Sequence, residues 1–446
     1  MSVLFVLYNV FLLFFISLVA SNMGIFLIGI LGLTVFMISS HGIGYREYKK
    51  YVFYVSVAFI FMFLLYHALI QKYGIPYYGG DDQNFEEYGK LLYNQDILYF
   101  KDIPYIQGMW YAKGYVLVIA WIERISNLVG EYSTWSPRIL NIYLWMSISA
   151  IVYKKIKIKV DMKTSEKALT VLALFPNALY ISSFVYRDTL VCFLIVVGVT
   201  AFEKCIDTIA AKKINFIPSA ILVCVSLYFL YYIRLQICFV MLVIFAIKFF
   251  IGRIDLSQIT DAKKLLILSI SALVSIFLLQ ALGGLDLLSI SSESYTNYRL
   301  SGNEGLSRIV FSFSIFPFGI IVRFLYGLIS PFPGGLLKLN YISEPLYSGI
   351  QAIIFVGTIF QFFLLPYLFS GLKKVNYSAL KFAIMFLSIV ITTFTFRHFI
   401  MVYPFMAEVI AENYAETDQV KRNINIRNMS LIVVAAALFY VIAKLV

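Results

Sequence analysis

Residues 51–71 read "YVFYVSVAFIFMFLLYHALIQ", twenty-one positions without a formal charge. As a helix they rise ~30 Å, the depth of a bilayer's hydrocarbon core. A few residues on, at 77–90, the chain reads "YYGGDDQNFEEYGK", where adjacent aspartates and adjacent glutamates follow a glycine pair. An apolar helix that leads directly into a knot of carboxylates should set those acids at one membrane face. Which face, and what the acids do there, is read from the rest of the chain.

The 446 residues are 61% hydrophobic and 13% charged, with 41 Phe and 33 Tyr, and mean hydropathy is +0.85. Soluble domains do not reach such values, so the expected fold class is an all-α polytopic membrane protein of about 11–13 transmembrane helices. Candidate spans lie at 3–20, 24–40, 51–71, 139–153, 168–184, 189–203, 215–233, 235–251, 265–283, 347–370, 379–396, 399–412 and 429–444. No Lys or Arg precedes the first apolar run and a second follows closely, so the first is expected to be a span rather than a signal peptide.

Orientation follows from the basic loops, which favour the cytoplasm. Arg46, Lys49 and Lys50, the run "KKIKIKVDMKTSEK" at 154–167, Lys204 with Lys212 and Lys213, Arg253 with Lys263 and Lys264, Lys373 with Lys374 and Lys381, and Lys421 with Arg422 and Arg427 agree in parity. They are expected inside, with the amino terminus. Two long segments, 72–138 and 284–346, then fall outside, and the acidic knot with them. The apolar runs "YVLVIAWIERISNLVG" (115–130) and "IVFSFSIFPFGIIVRFLYGLIS" (309–330) each carry an internal Arg and would break this alternation as spans. Both are therefore expected to be interfacial or re-entrant.

Several chemistries have no signature here. There is no Cys-x-x-Cys, His-Glu-x-x-His, Gly-rich phosphate loop or serine elbow,. Cys192, Cys205, Cys224 and Cys238 fall in spans or near the inner face, and His41, His67 and His398 are too dispersed for a histidine metal site,. The net charge of +12 reflects inner loops facing anionic lipid rather than a nucleic-acid surface,. The four tryptophans, Trp110, Trp121, Trp135 and Trp145, lie in or just after the first outer segment, where they suit an aromatic belt or sugar stacking,. Tyr99, Phe100, Tyr105 and Tyr111 have the same two readings.

Arginine is unevenly placed. Arg124, Arg138, Arg187, Arg234, Arg299, Arg308, Arg323 and Arg397 all fall on the outer side or at adjoining span ends, whereas the inner loops are mainly lysine. A guanidinium stays charged when partly desolvated and grips phosphate oxygens with two parallel hydrogen bonds, so this group suits a lipid-linked phosphate; anchors snorkelling at span ends are the plainer alternative. "GGDD" predicts a turn and an Asp N-cap, followed by an amphipathic helix with Phe85, Tyr88 and Leu92 on one stripe and Asp82 and Glu86 on another. A cap explains Asp81 alone. Three close carboxylates, Asp81, Asp82 and Glu86, should raise one another's pKa and yield a base able to take a proton from a hydroxyl.

With "YGGDDQNFEEYG" (78–89), "SPRILNIYLW" (136–145), "ALFPNALYISSFVYRDTLVCFLIVVG" (173–198) and "RHFIMVYPF" (397–405) in this order, the chain resembles the GT-C superfamily of integral-membrane glycosyltransferases. Surface-polysaccharide polymerases of the O-antigen type share its size and aromatic richness. The resemblance covers 51–412 as a transmembrane catalytic module, with 1–50 as two additional spans and 413–446 as a cytoplasmic loop and last span. It implies sugar transfer from a polyprenyl phosphate or pyrophosphate donor to a glycan acceptor at the outer face of a bacterial-type cytoplasmic membrane. It also implies Asp81 or Asp82 as base, Arg187 and Arg397 on the donor phosphate, and Asp188 orienting Arg187.

Arg234, Arg299, Arg308, Arg323 and His398 complete the candidate phosphate-binding set. "SSESYTNYRLSGNEGLSR" (291–308) reads as a lid or an exposed loop, and "SPFPGG" (330–335) as a helix stop,. No cofactor is required, although a divalent Mg or Mn ion suits carboxylate ligands. Partners are the donor, the acceptor, membrane lipid and components of polysaccharide export. The rival reading is a lipid-linked oligosaccharide flippase, against which stands the lack of an internal repeat.

Overall fold

The computed structural model describes residues 2–78, 80–105, 112–211, 215–251, 280, 283–301, 305–314, 318–329, 341–374, 376–392 and 395–445. Among these, every regular element is helical. In chain order the α-helices are α1 (Ser2–Val19), α2 (Met23–Ser39), α3 (Tyr45–Tyr73), α4 (Gly80–Asn94), α5 (Lys113–Ser126), α6 (Trp135–Lys159), α7 (Met162–Ala173), α8 (Pro176–Ser182) and α9 (Asp188–Ala210). There follow α10 (Ile217–Ile233), α11 (Leu235–Ile251), α12 (Gly284–Ser301), α13 (Gly305–Ser312), α14 (Ile320–Ile329), α15 (Pro345–Leu372), α16 (Tyr377–Thr392), α17 (Tyr403–Glu416) and α18 (Gln419–Leu445). Two 3-10 turns, Phe100–Asp102 and Phe396–Met401, sit before α5 and α17.

Four of these helices, α3, α6, α9 and α15, are long and apolar enough to cross a membrane; shorter apolar helices cover Val3–Val19, Met23–Ser39, Ile217–Ile233, Leu235–Phe249 and Tyr377–Thr392. The apolar run expected as one span at 168–184 is two helices. Pro176 has no N–H to continue α7 and starts α8 at its first turn, where that donor is not needed,. The run at 309–330 is likewise divided, and α14, of 10 residues, rises only ~15 Å,. The expected span at 265–283 lies almost wholly outside the described residues, as does "SPFPGG".

α6 is the axis of the fold. Ile139, Ile142, Tyr143, Trp145 and Tyr153 are all buried along it, and it packs against α2, α3, α7, α9 and α17. Trp145 thus belongs to the core, its indole N–H donating to the Ala173 carbonyl at 3.3 Å, and not to an interfacial belt. Close approach depends on small residues: a Cβ on Gly32 of α2 would meet the Tyr143 ring at 2.8 Å. At its far end α6 joins a closed ionic ring. Lys155 reaches Glu203 of α9 at 2.8 Å and Glu408 of α17 at 3.0 Å, and Lys381 of α16 reaches the same two carboxylates at 2.9 and 2.8 Å. Alternating signs let each charge, with Lys381 and Glu408 buried and Lys155 and Glu203 half-buried, face two of the opposite kind, which offsets the loss of hydration,.

Two features set up the site at the other end. Gly74 caps α3 at φ 73°, a conformation open to glycine, and turns the chain toward α4,. α4 then lies along α5, where Gly89 would carry a Cβ only 2.5 Å from Ile119.

Candidate functional site

α4 begins at Gly80, so Asp81 and Asp82 occupy its first turn instead of capping it, and there they face the positive end of the helix dipole,. Phe85 and Leu92 are buried as the stripe requires, but so are Asp82 and Glu86. The carboxylate face is therefore turned into the protein. Each acid has its own partners, which differs from the crowding expected of the sequence.

Glu86 accepts from the Tyr77 hydroxyl and from the Tyr132 hydroxyl at 2.7 Å. Asp82 accepts the Tyr78 backbone N–H on Oδ2 at 3.0 Å, and its buried Oδ1 has no hydrogen-bond partner among the described residues. Burial raises the Asp82 carboxyl to about 6, against the opposing pull of the Tyr78 N–H and the Arg138 charge. Desolvation, not repulsion from neighbouring acids, makes this group basic. Asp81 is half-buried and forms an ion pair with Arg397.

Arg397 joins α4 to the rest of the site. It lies in the 3-10 turn before α17, its guanidinium 4.9 Å from the centroid of the Tyr186 ring and its Nε 3.5 Å from Oδ2 of Asp188. Asp188 is the first residue of α9, again at a helix N-terminus, and its Oδ1 accepts from Arg234 at 2.7 Å, both side chains buried. His398 Nε2 stands 3.5 Å from the same oxygen while its Nδ1 meets Thr395 Oγ1 at 2.8 Å. Arg234 occupies the break between α10 and α11, whose last α10 carbonyl, Ile233, accepts from Arg187 at 3.2 Å. Asp188 forms ion pairs with Arg234 and Arg397, two cations in addition to the Arg187 that the resemblance implied it orients.

These contacts join Asp81, Arg397, Asp188, Arg234 and His398 through elements far apart in the chain, with Arg187 beside them. The remaining candidates have the following placements. Arg323 donates to Thr296 at 3.3 Å and stacks over Phe311 at 4.2 Å, so its charge serves the packing of α14 on α12 and α13. Arg308 is exposed on α13. Arg299 lies on α12, with a side chain outside the described residues. Arg124 pairs with Asp96 at 2.7 Å. Among the sugar-stacking candidates Phe100 is core, stacked on Tyr232 at 4.7 Å, while Tyr99 and Tyr105 are exposed; Tyr111 and Trp110 are outside the described residues.

Sequence reasoning undervalued Arg138 and the tyrosines. Arg138 is fully buried and donates to the Pro76 carbonyl and to that of Ser183 at 3.0 Å, tying the turn before α4 to the one before α9. The signal was its place at the start of an apolar run; the bonds join residues too far apart in sequence to read. No group of three or more His, Cys, Asp or Glu is gathered to hold a metal ion among the described residues. Of the α4 carboxylates, Asp81 is paired with Arg397, Glu86 accepts from Tyr77 and Tyr132, and Asp82 Oδ2 accepts the Tyr78 N–H. Compared with models of known protein families, with curated proteins and with solved structures, the chain matches none.

Proposed function

We propose that this protein is a polytopic membrane glycosyltransferase, or polysaccharide polymerase, using a polyprenyl-linked phosphate or pyrophosphate donor. The observation that carries the reading is the ion-pair chain Asp81–Arg397–Asp188–Arg234, which joins the first acidic helix to a group of buried guanidinium groups. Parity of the basic loops supports a cytoplasmic amino terminus and a site on the outer face, and the resemblance to GT-C enzymes is what suggests a bacterial-type cytoplasmic membrane.

In the reaction, an acceptor hydroxyl attacks the anomeric carbon and its proton passes to Oδ1 of Asp82. The C–O bond to the phosphate breaks with its electron pair on the leaving oxygen. Arg397, Arg234 and Arg187 stabilise that charge, which grows as the bond lengthens. A single displacement inverts the anomeric centre. Asp81 holds Arg397 in the resting site and yields it to the more highly charged phosphate. Asp82 is buried, so the acceptor reaches its Oδ1 only after the chain packed around that oxygen gives way. Asp82 and Asp188, both buried, divide the work: Asp188 fixes the cations, and Asp82 holds a proton affinity suited to a base near neutral pH.

A flippase for lipid-linked oligosaccharide is the second reading, favoured by the Lys155–Glu203–Lys381–Glu408 ring, of which Lys381 and Glu408 are buried, since buried ionisable groups between apolar helices mark translocation paths in other membrane proteins. Asp81→Asn and Asp82→Asn separate the two in cells. Glycosyl transfer predicts short or absent polymer with lipid-linked precursor accumulating on the outer face. Wild-type polymer in both variants would remove the base assignment, and precursor confined to the inner face would favour translocation.

A further inference from the structure

A cavity of about 550 Å³ lies away from the site described above, walled by α3, α7, α15, α17 and α18. Its volume falls in the range of small-molecule sites. One rim is charged, with Lys50, Lys163, Glu166 and Lys167, and the body is apolar, with Phe360, Phe363 and Leu364 of α15 on one side. Lys50 is neutralised by Glu166 at 2.8 Å. That leaves Lys163, which is exposed, and Lys167, whose Nζ lies 3.3 Å from the Tyr414 hydroxyl, as the net positive charge.

Along α7 the lining passes from charge to hydrocarbon on one stripe: Lys163 and Lys167 are one turn apart, and Val171 follows a turn further on,. The cavity therefore has the polarity of an amphiphile, an anionic head at the amino end of α7 and apolar chains toward Phe360, which is exposed. The basic end also belongs to the loops that parity assigns to the cytoplasm. A soluble anion would satisfy the lysines but leave the apolar wall bare, and a neutral lipid would fill the wall but leave the lysines without a counter-charge.

We propose that this cavity binds an anionic phospholipid of the cytoplasmic leaflet, its phosphate between Lys163 and Lys167 and its acyl chains along Phe360, Phe363 and Leu364. The proposal rests on the membrane placement given above and not on glycosyl transfer. Basic pockets between apolar helices on the cytoplasmic side are suited to such head groups.

The test is native mass spectrometry of the full chain in detergent, titrated with an equimolar mixture of phosphatidylglycerol and phosphatidylcholine. Wild type retains phosphatidylglycerol in preference, and Lys163→Gln with Lys167→Gln together lower that preference about thirtyfold, since each of the two lysines contributes on the order of 1 kcal/mol near a head group. Both lysines are on the rim, so an unchanged thermal melt in the double variant confirms folding. Leu364→Trp, which fills the apolar body and keeps the lysines, removes the tightly held lipid of either kind. Equal retention of the two lipids by wild type would mean an ordinary surrounding lipid and overturn the proposal. So would a preference that persists in the double lysine variant, or lipid retention unchanged by Leu364→Trp. Sugar transfer that fails in a separate assay while this lipid preference stands would refute only the enzymatic reading.

Discussion

Arg397 donates to Asp81 across 316 residues of sequence, and through that contact the 3-10 turn before α17 is held to the first turn of α4. Neither side chain is fully buried, so the pair contributes modestly to stability, about 1 kcal/mol. Its larger consequence is positional, because the same guanidinium also faces Asp188.

Arg397→Lys keeps the charge but loses the planar fork, and it is expected to lower transfer by about 10²-fold or more while leaving the melt within a few degrees. A double-mutant cycle of Arg397→Lys with Asp81→Asn should give losses in activity that are less than additive, because each substitution disrupts the same contact. Additive losses would place the two residues in separate tasks.

Asp82 makes stability depend on pH in a defined direction. Its carboxyl is raised in the folded state to about 6 from an unfolded value near 3.8. Between those values the folded state binds more protons, so stability is greatest below pH ~4 and is lost as pH rises through ~6. Asp82→Asn removes that penalty, which is at most about 3 kcal/mol. The variant should therefore melt higher than wild type at pH 7 and converge with it near pH 4. Transfer by wild type should rise with pH through ~6, and the variant should show no such step.

The ring of Lys155, Glu203, Lys381 and Glu408 should behave as a unit. Lys381→Met alone leaves two carboxylates facing one lysine and is expected to cost about 3–5 kcal/mol. Adding Glu408→Gln restores charge balance around the Lys155–Glu203 pair and should recover more than half of that loss. Thermal melts of the single and double variants in the same lipid give the answer.

Gly114 lies where α5 meets the end of α10; a Cβ there would stand 2.3 Å from the Tyr232 carbonyl oxygen, a backbone atom that cannot swing away. Gly114→Ala should push the α10–α11 break and with it the Ile233 carbonyl that holds Arg187, costing about 1–3 kcal/mol and impairing transfer. Gly349, inside α15, has nothing within 4 Å of its Cβ position. Gly349→Ala should be neutral or add about 0.5–1 kcal/mol, as expected of a helix interior.

Helix positions were largely legible because apolar length and helical period are local properties. The run at 51–71 is inside α3, and Phe85 and Leu92 fill the face that their spacing predicts. The break at Pro176 was also in the letters, but the apolar run across it concealed two helices. Asp81, Asp188, Arg187, Arg234, Arg397 and His398 were picked out by residue type and by their place at the ends of apolar runs. Their partners were not legible, since Asp188 meets Arg234 and Arg397 only through the packing of α9 against α10 and the turn at Phe396–Met401. The burial of the α4 acids was hidden for the same reason. Tyr77 and Tyr132, which make it tolerable for Glu86, come from either side of α4 and have no spacing that betrays the contact.

The central claim is that Asp82 takes the acceptor's proton while the arginine group receives the phosphate. Its most direct measurement is the initial rate of sugar transfer from a synthetic polyprenyl-pyrophosphate donor by the reconstituted protein and by Asp82→Asn, with donor binding measured in parallel. A fall of about 10²–10⁴-fold in rate with donor affinity preserved is the predicted result. A rate within a few-fold of wild type, in the presence of saturating donor, would contradict it.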